Sequence, residues 1–197
     1  MNEQLSLIQR FRKTVIGEYA EALIWAVALA LVLTTFVVQA FKIPSGYLLV
    51  NKFLYGLRNP FNDDYLIRGV EPKVGDIIVF RYPKDRSLDY IKRIVGVPGD
   101  TLEMRNKVLY RNGVEVQEPY TQHSQPLIMI PGRDNWGPIT VPADKFFALG
   151  DNRDDSADSR FWGFLDRNDI RGKAWRIYWS ADGLSNIRLN RIGRAVE

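Results

Sequence analysis

The 197-residue sequence has no cysteine, three methionines and a single histidine, His123. Without cysteine there are no disulfides, no thiolate metal site and no cysteine nucleophile, and such a chain fits either side of a membrane. A Ser-His-Asp triad would need His123, which stands in the polar stretch YTQHSQPL, residues 120–127, where a surface-loop histidine is expected. Strong charge is also lacking. The net charge of +4 is too mild to point to nucleic acid, although it suits attraction to anionic lipid. No internal repeat and no low-complexity segment is present. With 46% apolar and 25% charged residues the chain is not disordered, and its length supports one or two compact domains.

One long uncharged run stands out. Residues 22–41, ALIWAVALALVLTTFVVQAF, carry no charge. As a helix rising ~1.5 Å per residue this run is ~30 Å long, the thickness of a bilayer core. It is apolar at every phase, unlike the one-sided stripe of a surface helix. The expectation is a transmembrane anchor over 22–41. Val38 and Ala40 form a small-x-small pattern that a cleavable signal peptide could use. The run, however, exceeds the ~7–15 residues of a signal core, and Glu18 and Glu21 precede it. Arg10, Arg12 and Lys13 lie just before the run, so 1–21 is expected as a basic cytoplasmic head, with 42–197 outside the cytoplasmic membrane.

Beyond Phe41 the pattern changes. Short runs rich in Val, Ile, Tyr and Phe alternate with Gly, Pro, Asp and Asn, which predicts an all-β domain. Asn112-Gly113 marks a two-residue hairpin. One helical turn is expected near Asp166–Arg171. Arg58–Val70 and Thr121–Gly137 read as polar connections, and the basic tail from Arg188 as solvated.

Two stretches offer chemistry. In DYIKRIVGVPGD, residues 89–100, a strand places Tyr90, Lys92 and Ile94 on one face. A lysine held among apolar neighbours loses hydration, its pKa falls from about 10.4 toward neutrality, and it can serve as a general base. A lysine reaching to solvent from a strand edge has the same sequence. In FFALGDNRDDSADSRFWG, residues 146–163, an apolar strand opens into a loop of interleaved aspartates and arginines. Bidentate ion pairs would fix such a loop. A calcium loop does not fit, because its sixth position lacks glycine and arginines stand among the carboxylates.

Taken together, the basic head, the single span, IPSG at 43–46, YLLVNKF at 47–53, DYIKRIVGVPGD and GDNRDDSADSRFWGF at 150–164 resemble bacterial signal peptidase I over nearly the whole chain. The resemblance implies a membrane-anchored serine endopeptidase with a Ser/Lys pair, cleaving signal peptides from exported preproteins. It implies a mostly antiparallel β catalytic domain with a smaller inserted β region, here about 101–141. It calls for no cofactor and no metal, and its partners are signal peptides and the lipid bilayer. By its motifs Lys92 corresponds to the general base, Ser156 to the serine that orients it, and Ser45 to an oxyanion-hole serine. Asp151, Arg153, Asp158 and Arg160 correspond to the ion-pair scaffold beneath the site.

The sequence departs from the family at one place. Where the family reads approximately I-P-S-G-S-M-x-P-T-L-x-x-G-D before the next strand, Gly46 is followed at once by Tyr47. About ten residues of that pattern are absent, among them the nucleophilic serine. Ser45 is a poor substitute nucleophile, since two residues of extended chain displace a hydroxyl by ~6.6 Å, and a general base works within ~2.6–3.2 Å of its partner. Recruiting Ser45 would also remove an oxyanion donor, a loss of ~10²–10³-fold in comparable sites. The expectation is an inactive or impaired peptidase. The alternative is a catalytically silent relative that binds signal peptides or partner proteins. A soluble Ser/Lys self-cleaving repressor is disfavoured by the span.

Overall fold

The computed structural model describes residues 14–43, 46–59, 64–182 and 186–196. Arg10, Arg12, Lys13 and Ser45 lie outside the described residues. The chain starts as an apolar helix, Val15–Val32, capped where Thr14 Oγ1 accepts the Gly17 amide at 3.0 Å. A π turn, Leu33–Val37, continues it. Within Val15–Val37 the most apolar 18-residue stretch has a mean hydropathy of 2.1, and none of that stretch is buried in the protein. Trp25 and Leu29 point outward. The helix is long and apolar enough to cross a membrane.

The helix ends earlier than expected. Val38–Phe41, placed by the sequence inside the span, belong to strand β1, Val38–Ile43. The reason lies at the helix end. Thr34 Oγ1 bonds back to the Ala30 carbonyl at 2.8 Å, a contact that loosens the last turn. Lys52 then takes two carbonyls that further turns would have needed: its Nζ bonds Thr35 O at 2.6 Å and its amide bonds Val37 O at 2.8 Å.

Strand β2, Gly46–Asn51, returns antiparallel to β1, with Ile43 opposite Gly46. A short antiparallel pair follows, β3 (Gly56–Arg58) with β4 (Tyr65–Arg68), where the sequence pattern points to a polar connection over Arg58–Val70. The period-2 pairing there is hidden because Leu66 and Ile67 are both exposed. Next come β5 (Ile77–Tyr82), β6 (Asp85–Gly96), β7 (Thr101–Arg105), β8 (Val108–Arg111), β9 (Val114–Glu115), β10 (Trp136–Thr140) and β11 (Lys145–Leu149). A one-turn helix, Ser159–Trp162, precedes β12 (Leu165–Asp166), β13 (Ile170–Asp182) and β14 (Asn186–Ile187).

The protein is thus mostly antiparallel β. One sheet runs β1-β2-β13-β5-β6-β11-β12, and a second, β10-β7-β8-β9, lies within Thr101–Thr140. The β8–β9 turn is the expected hairpin, with Asn112 and Gly113 both at positive φ (55° and 79°). The expected helical turn is a 3-10 turn at Arg167–Asp169. One core gathers Ile78, Phe80, Ile94, Phe146, Leu165 and Ile170, and another gathers Leu102, Leu109, Val141 and Phe147.

The tail is not simply solvated. After β14 the chain turns through Leu189–Arg191 and lies back along β13, with Ala195 opposite Arg176. Its apolar pattern is too short to reveal this, because the pairing is carried by main-chain hydrogen bonds.

Phe80, wholly buried, meets Tyr90 edge-on at 6.5 Å and Trp162 at 5.5 Å between ring centroids. Phe80→Ala is expected to cost ~3–5 kcal/mol, read from urea or thermal unfolding of the detergent-solubilised protein.

Candidate active site

The register of the main sheet sets the site. Lys92 on β6 pairs with Ile78 on β5, and Leu149 on β11 pairs with Arg93. The chain therefore leaves β11 at Gly150 directly beside Lys92. Tyr90 and Ile94, on the same face of β6, pack in the core on either side of the lysine. The Lys92 ammonium lies 5.9 Å from the centre of the Tyr90 ring. Burial is the main cause that pushes the Lys92 pKa below the ordinary lysine value; Asp158 opposes this, and Arg160 reinforces it.

Ser156 approaches Lys92 over the bare backbone of Gly150. A Cβ at Gly150 would collide with Ser156 Oγ, stand 2.6 Å from Ser156 Cβ and come within 3.4 Å of Lys92 Nζ. Only glycine leaves room for that approach. Ser156 Oγ is buried and has no hydrogen-bond partner. Lys92, Gly150, Asp155 and Ser156 together line a cavity of about 300 Å³.

Charged groups shape the loop that presents Ser156. Asp158 is fully buried, and its carboxylate accepts both Arg160 Nε (2.8 Å) and Arg160 Nη2 (2.7 Å). It also accepts the Gly150 amide at 3.1 Å and caps the one-turn helix through the Arg160 amide. Arg160 Nη2 reaches on to the Arg153 carbonyl at 2.7 Å. Arg153 binds the Gly150 carbonyl through Nε at 3.2 Å and grips Glu118 with both terminal nitrogens, at 2.8 and 2.6 Å. Asp151 receives a bidentate bond from Arg93, at 3.0 and 3.0 Å, and the Arg93 guanidinium lies over the Tyr120 ring at 3.8 Å.

The structure therefore gathers Lys92, Ser156, Asp151, Arg153, Asp158 and Arg160 in one region. Ser45 lies outside the described residues. The sequence pattern placed the ion pairs inside the loop, yet only Asp158–Arg160 pairs within it. Glu118 and Arg93 were missed. Arg93 adjoins Lys92 on its strand and points to the opposite face, which alternation alone could have flagged. Glu118 carries no such signal, being 35 residues from Arg153. A further knot joins Asp154 to Lys107 (2.7 Å) and Arg133 (3.3 Å), tying the loop to the second sheet. His123 is half-buried, with Nδ1 3.7 Å from Asp154.

Two outcomes follow from this geometry. Gly150→Ala is expected to destabilise the fold by ~1–3 kcal/mol through overpacking, measured as a drop in the urea midpoint. Asp158→Asn removes the negative charge that holds the Lys92 pKa up. Its Lys92 Cε resonance is expected to titrate at lower pH than in the unaltered protein, as read by carbon NMR.

Residues 16–179 match the family model described as signal peptidase, peptidase S26. Signal peptidase I of Pseudomonas aeruginosa is 34% identical over 230 aligned residues, covering 92% of this chain and 80% of its own. Signal peptidase I P of Bacillus subtilis subsp. natto is 35% identical over 181 residues, covering 90% and 94%. A crystal structure of a signal peptidase I from Enterococcus faecalis is 33% identical, covers 53% of this chain and 97% of its own, and has a TM-score of 0.44. With its family match spanning most of the sequence, this chain belongs to the signal peptidase family, peptidase S26.

Proposed function

We propose that the chain is a signal peptidase I by descent, a membrane-anchored serine endopeptidase acting on signal peptides of exported preproteins, whose own catalysis is lost or impaired. The observation that carries the peptidase reading is the Lys92–Ser156 arrangement. An amine whose pKa is lowered mainly by burial faces a buried, unpartnered hydroxyl in an open cavity. Lys92 is the general base, Ser156 orients it, and Ser45 belongs to the oxyanion hole. Asp151, Arg153, Asp158 and Arg160 hold the loop. In a Ser/Lys mechanism the neutral amine takes the serine proton as Oγ attacks the scissile carbonyl, then returns it to the leaving amine. The N-terminus lies in the cytoplasm, and 42–197 form the catalytic domain on the outer face of the cytoplasmic membrane. A retained anchor is supported by β1: cleavage after Ala40 would cut inside a strand in which Ala40 pairs with Leu49.

Loss of catalysis is supported by the hairpin register. Val38, Asn51, Lys173, Ile78 and Lys92 form one continuous row across the sheet. Gly46, the residue after Ser45, instead stands at the far end of β2, paired with Ser180. The five residue steps from Asn51 to Gly46 amount to ~17 Å along the strand. The three strand steps from β2 to β6 add ~14 Å across the sheet. A base acts over ~3 Å. The hairpin end thus stands far from Lys92, and the segment that would carry a nucleophile to it is the one absent between Gly46 and Tyr47.

Purified protein in detergent is expected to process a preprotein at a rate ~10⁶-fold below an intact site. Inserting S-M-x-P-T-L-x-x-G-D-like residues between Gly46 and Tyr47 is expected to restore cleavage, followed by gel shift of the mature product. In the restored protein Lys92→Ala should abolish it. Its rate should rise with pH over a range below the ordinary lysine pKa of ~10.4, since the base works deprotonated and its pKa is lowered. Normal processing by the unaltered chain would falsify the loss of catalysis. Tight signal-peptide binding without cleavage would favour the silent binding relative.

A further inference from the structure

The Lys92 cavity has one wall that comes from a distant part of the chain. Val196 lines it together with Ile77, Lys92, Gly150, Asp155 and Ser156. Residues 193–196 reach it as an extended segment against the edge of β13. The Gly193 amide donates to Ile177 O at 2.8 Å, the Ile177 amide to Arg194 O at 3.0 Å, and the Val196 amide to Trp175 O at 3.1 Å. Arg176 Nη1 adds a bond to Gly193 O at 2.6 Å. Gly193 makes the preceding turn in the left-handed region, at φ 80°.

The register explains why this segment lies where it does. β5 occupies the same edge of β13 but pairs only as far as Lys173. Beyond it the β13 edge would present unpaired main-chain groups, a ready template for an added strand. Residues 193–196 fill that vacant length in the same antiparallel sense and point their last described side chain, a small β-branched one, into the cavity beside Ile77.

We propose that the Trp175–Ile177 edge is a strand-accepting site occupied in cis by Gly193–Val196, and that this internal strand limits access of other molecules to Lys92. An extended peptide with a small or β-branched side chain at the position of Val196 competes for the same edge. The location of the occupant rests on the Lys92 cavity being the working site. Its docking does not depend on catalysis, because it is a matter of main-chain pairing.

The test reads amine protection, so a chain without protease activity serves equally well. The full chain in detergent is pulsed with a low dose of acetic anhydride, and acetylation of Lys92 and of Lys84 is quantified by peptide mass spectrometry. Val196→Pro removes the donor to Trp175 O, and Arg176→Ala removes the bond to Gly193 O. In each, Lys92 acetylation is expected to rise about fivefold, the opening that one lost hydrogen bond gives, while Lys84 stays unchanged. Amide exchange at Ile177 should speed up in parallel. Adding a peptide copy of residues 192–197 to Val196→Pro should restore Lys92 protection. Loss of Ile177 protection with no change at Lys92 overturns the proposal. So does an unprotected Ile177 amide in the unaltered chain. Equal rises at Lys84 and Lys92 in both variants report loosening of the whole sheet and also count against it. Failure of the restored enzyme to cleave a preprotein would leave these outcomes intact.

Discussion

The candidate site depends on one buried carboxylate. Asp158 accepts four hydrogen bonds: the Gly150 amide, the Arg160 amide and two nitrogens of the Arg160 guanidinium. Through the first it fixes the glycine over which Ser156 approaches Lys92. Through the others it starts the one-turn helix and aims Arg160 at the Arg153 carbonyl. A carboxylate removed from water is costly unless its lone pairs are filled, and here they are. By bonding both the Gly150 amide and the Arg160 amide, Asp158 ties the start of the loop to the one-turn helix at its end. Breaking it would strand the Arg160 charge, whose side chain is also almost wholly buried.

The same charges set the balance at Lys92. Burial drives its amine toward the neutral form, and the positive Arg160 adds to this. Asp158, Asp151 and Asp155 pull the other way. Because Arg160 covers Asp158 and Arg93 covers Asp151, much of that negative charge is already compensated. Desolvation therefore wins. Arg160 does more than hold the loop in shape, since its positive charge offsets part of the field of Asp158 at the lysine.

Much of this was legible in the sequence, and the boundary of legibility is physical. Strand alternation placed Tyr90, Lys92 and Ile94 on one face because that period is local. The Asn112-Gly113 hairpin was equally local. The polar loop after Gly150 announced itself by composition, as did the apolar helix. Pairings across distance were not legible. Nothing near Glu118 points to Arg153, and nothing near Arg194 points to Ile177. The helix end was misjudged for a related reason. Hydropathy continues to Phe41, but the carbonyls that end the helix are claimed by Lys52, which follows the end of β2.

β13 works as a ruler for the whole arrangement. Lys173 stands in the row of Lys92, Trp175–Ile177 carry the returning tail, and Ser180 meets the end of the β1–β2 hairpin. Strands advance by a fixed rise, so a residue's place along this ruler decides what it can reach. The β1–β2 hairpin pairs Ile43 with Gly46 at the end of β2 away from the Lys92 row. The tail meets the same geometry from the other side: the pairing of β5 stops at Lys173, and residues 193–196 take the edge beyond it. Burial thus lowers the Lys92 pKa, while the register sets the hairpin end far along β13 from it and brings Val196 to the wall of its cavity.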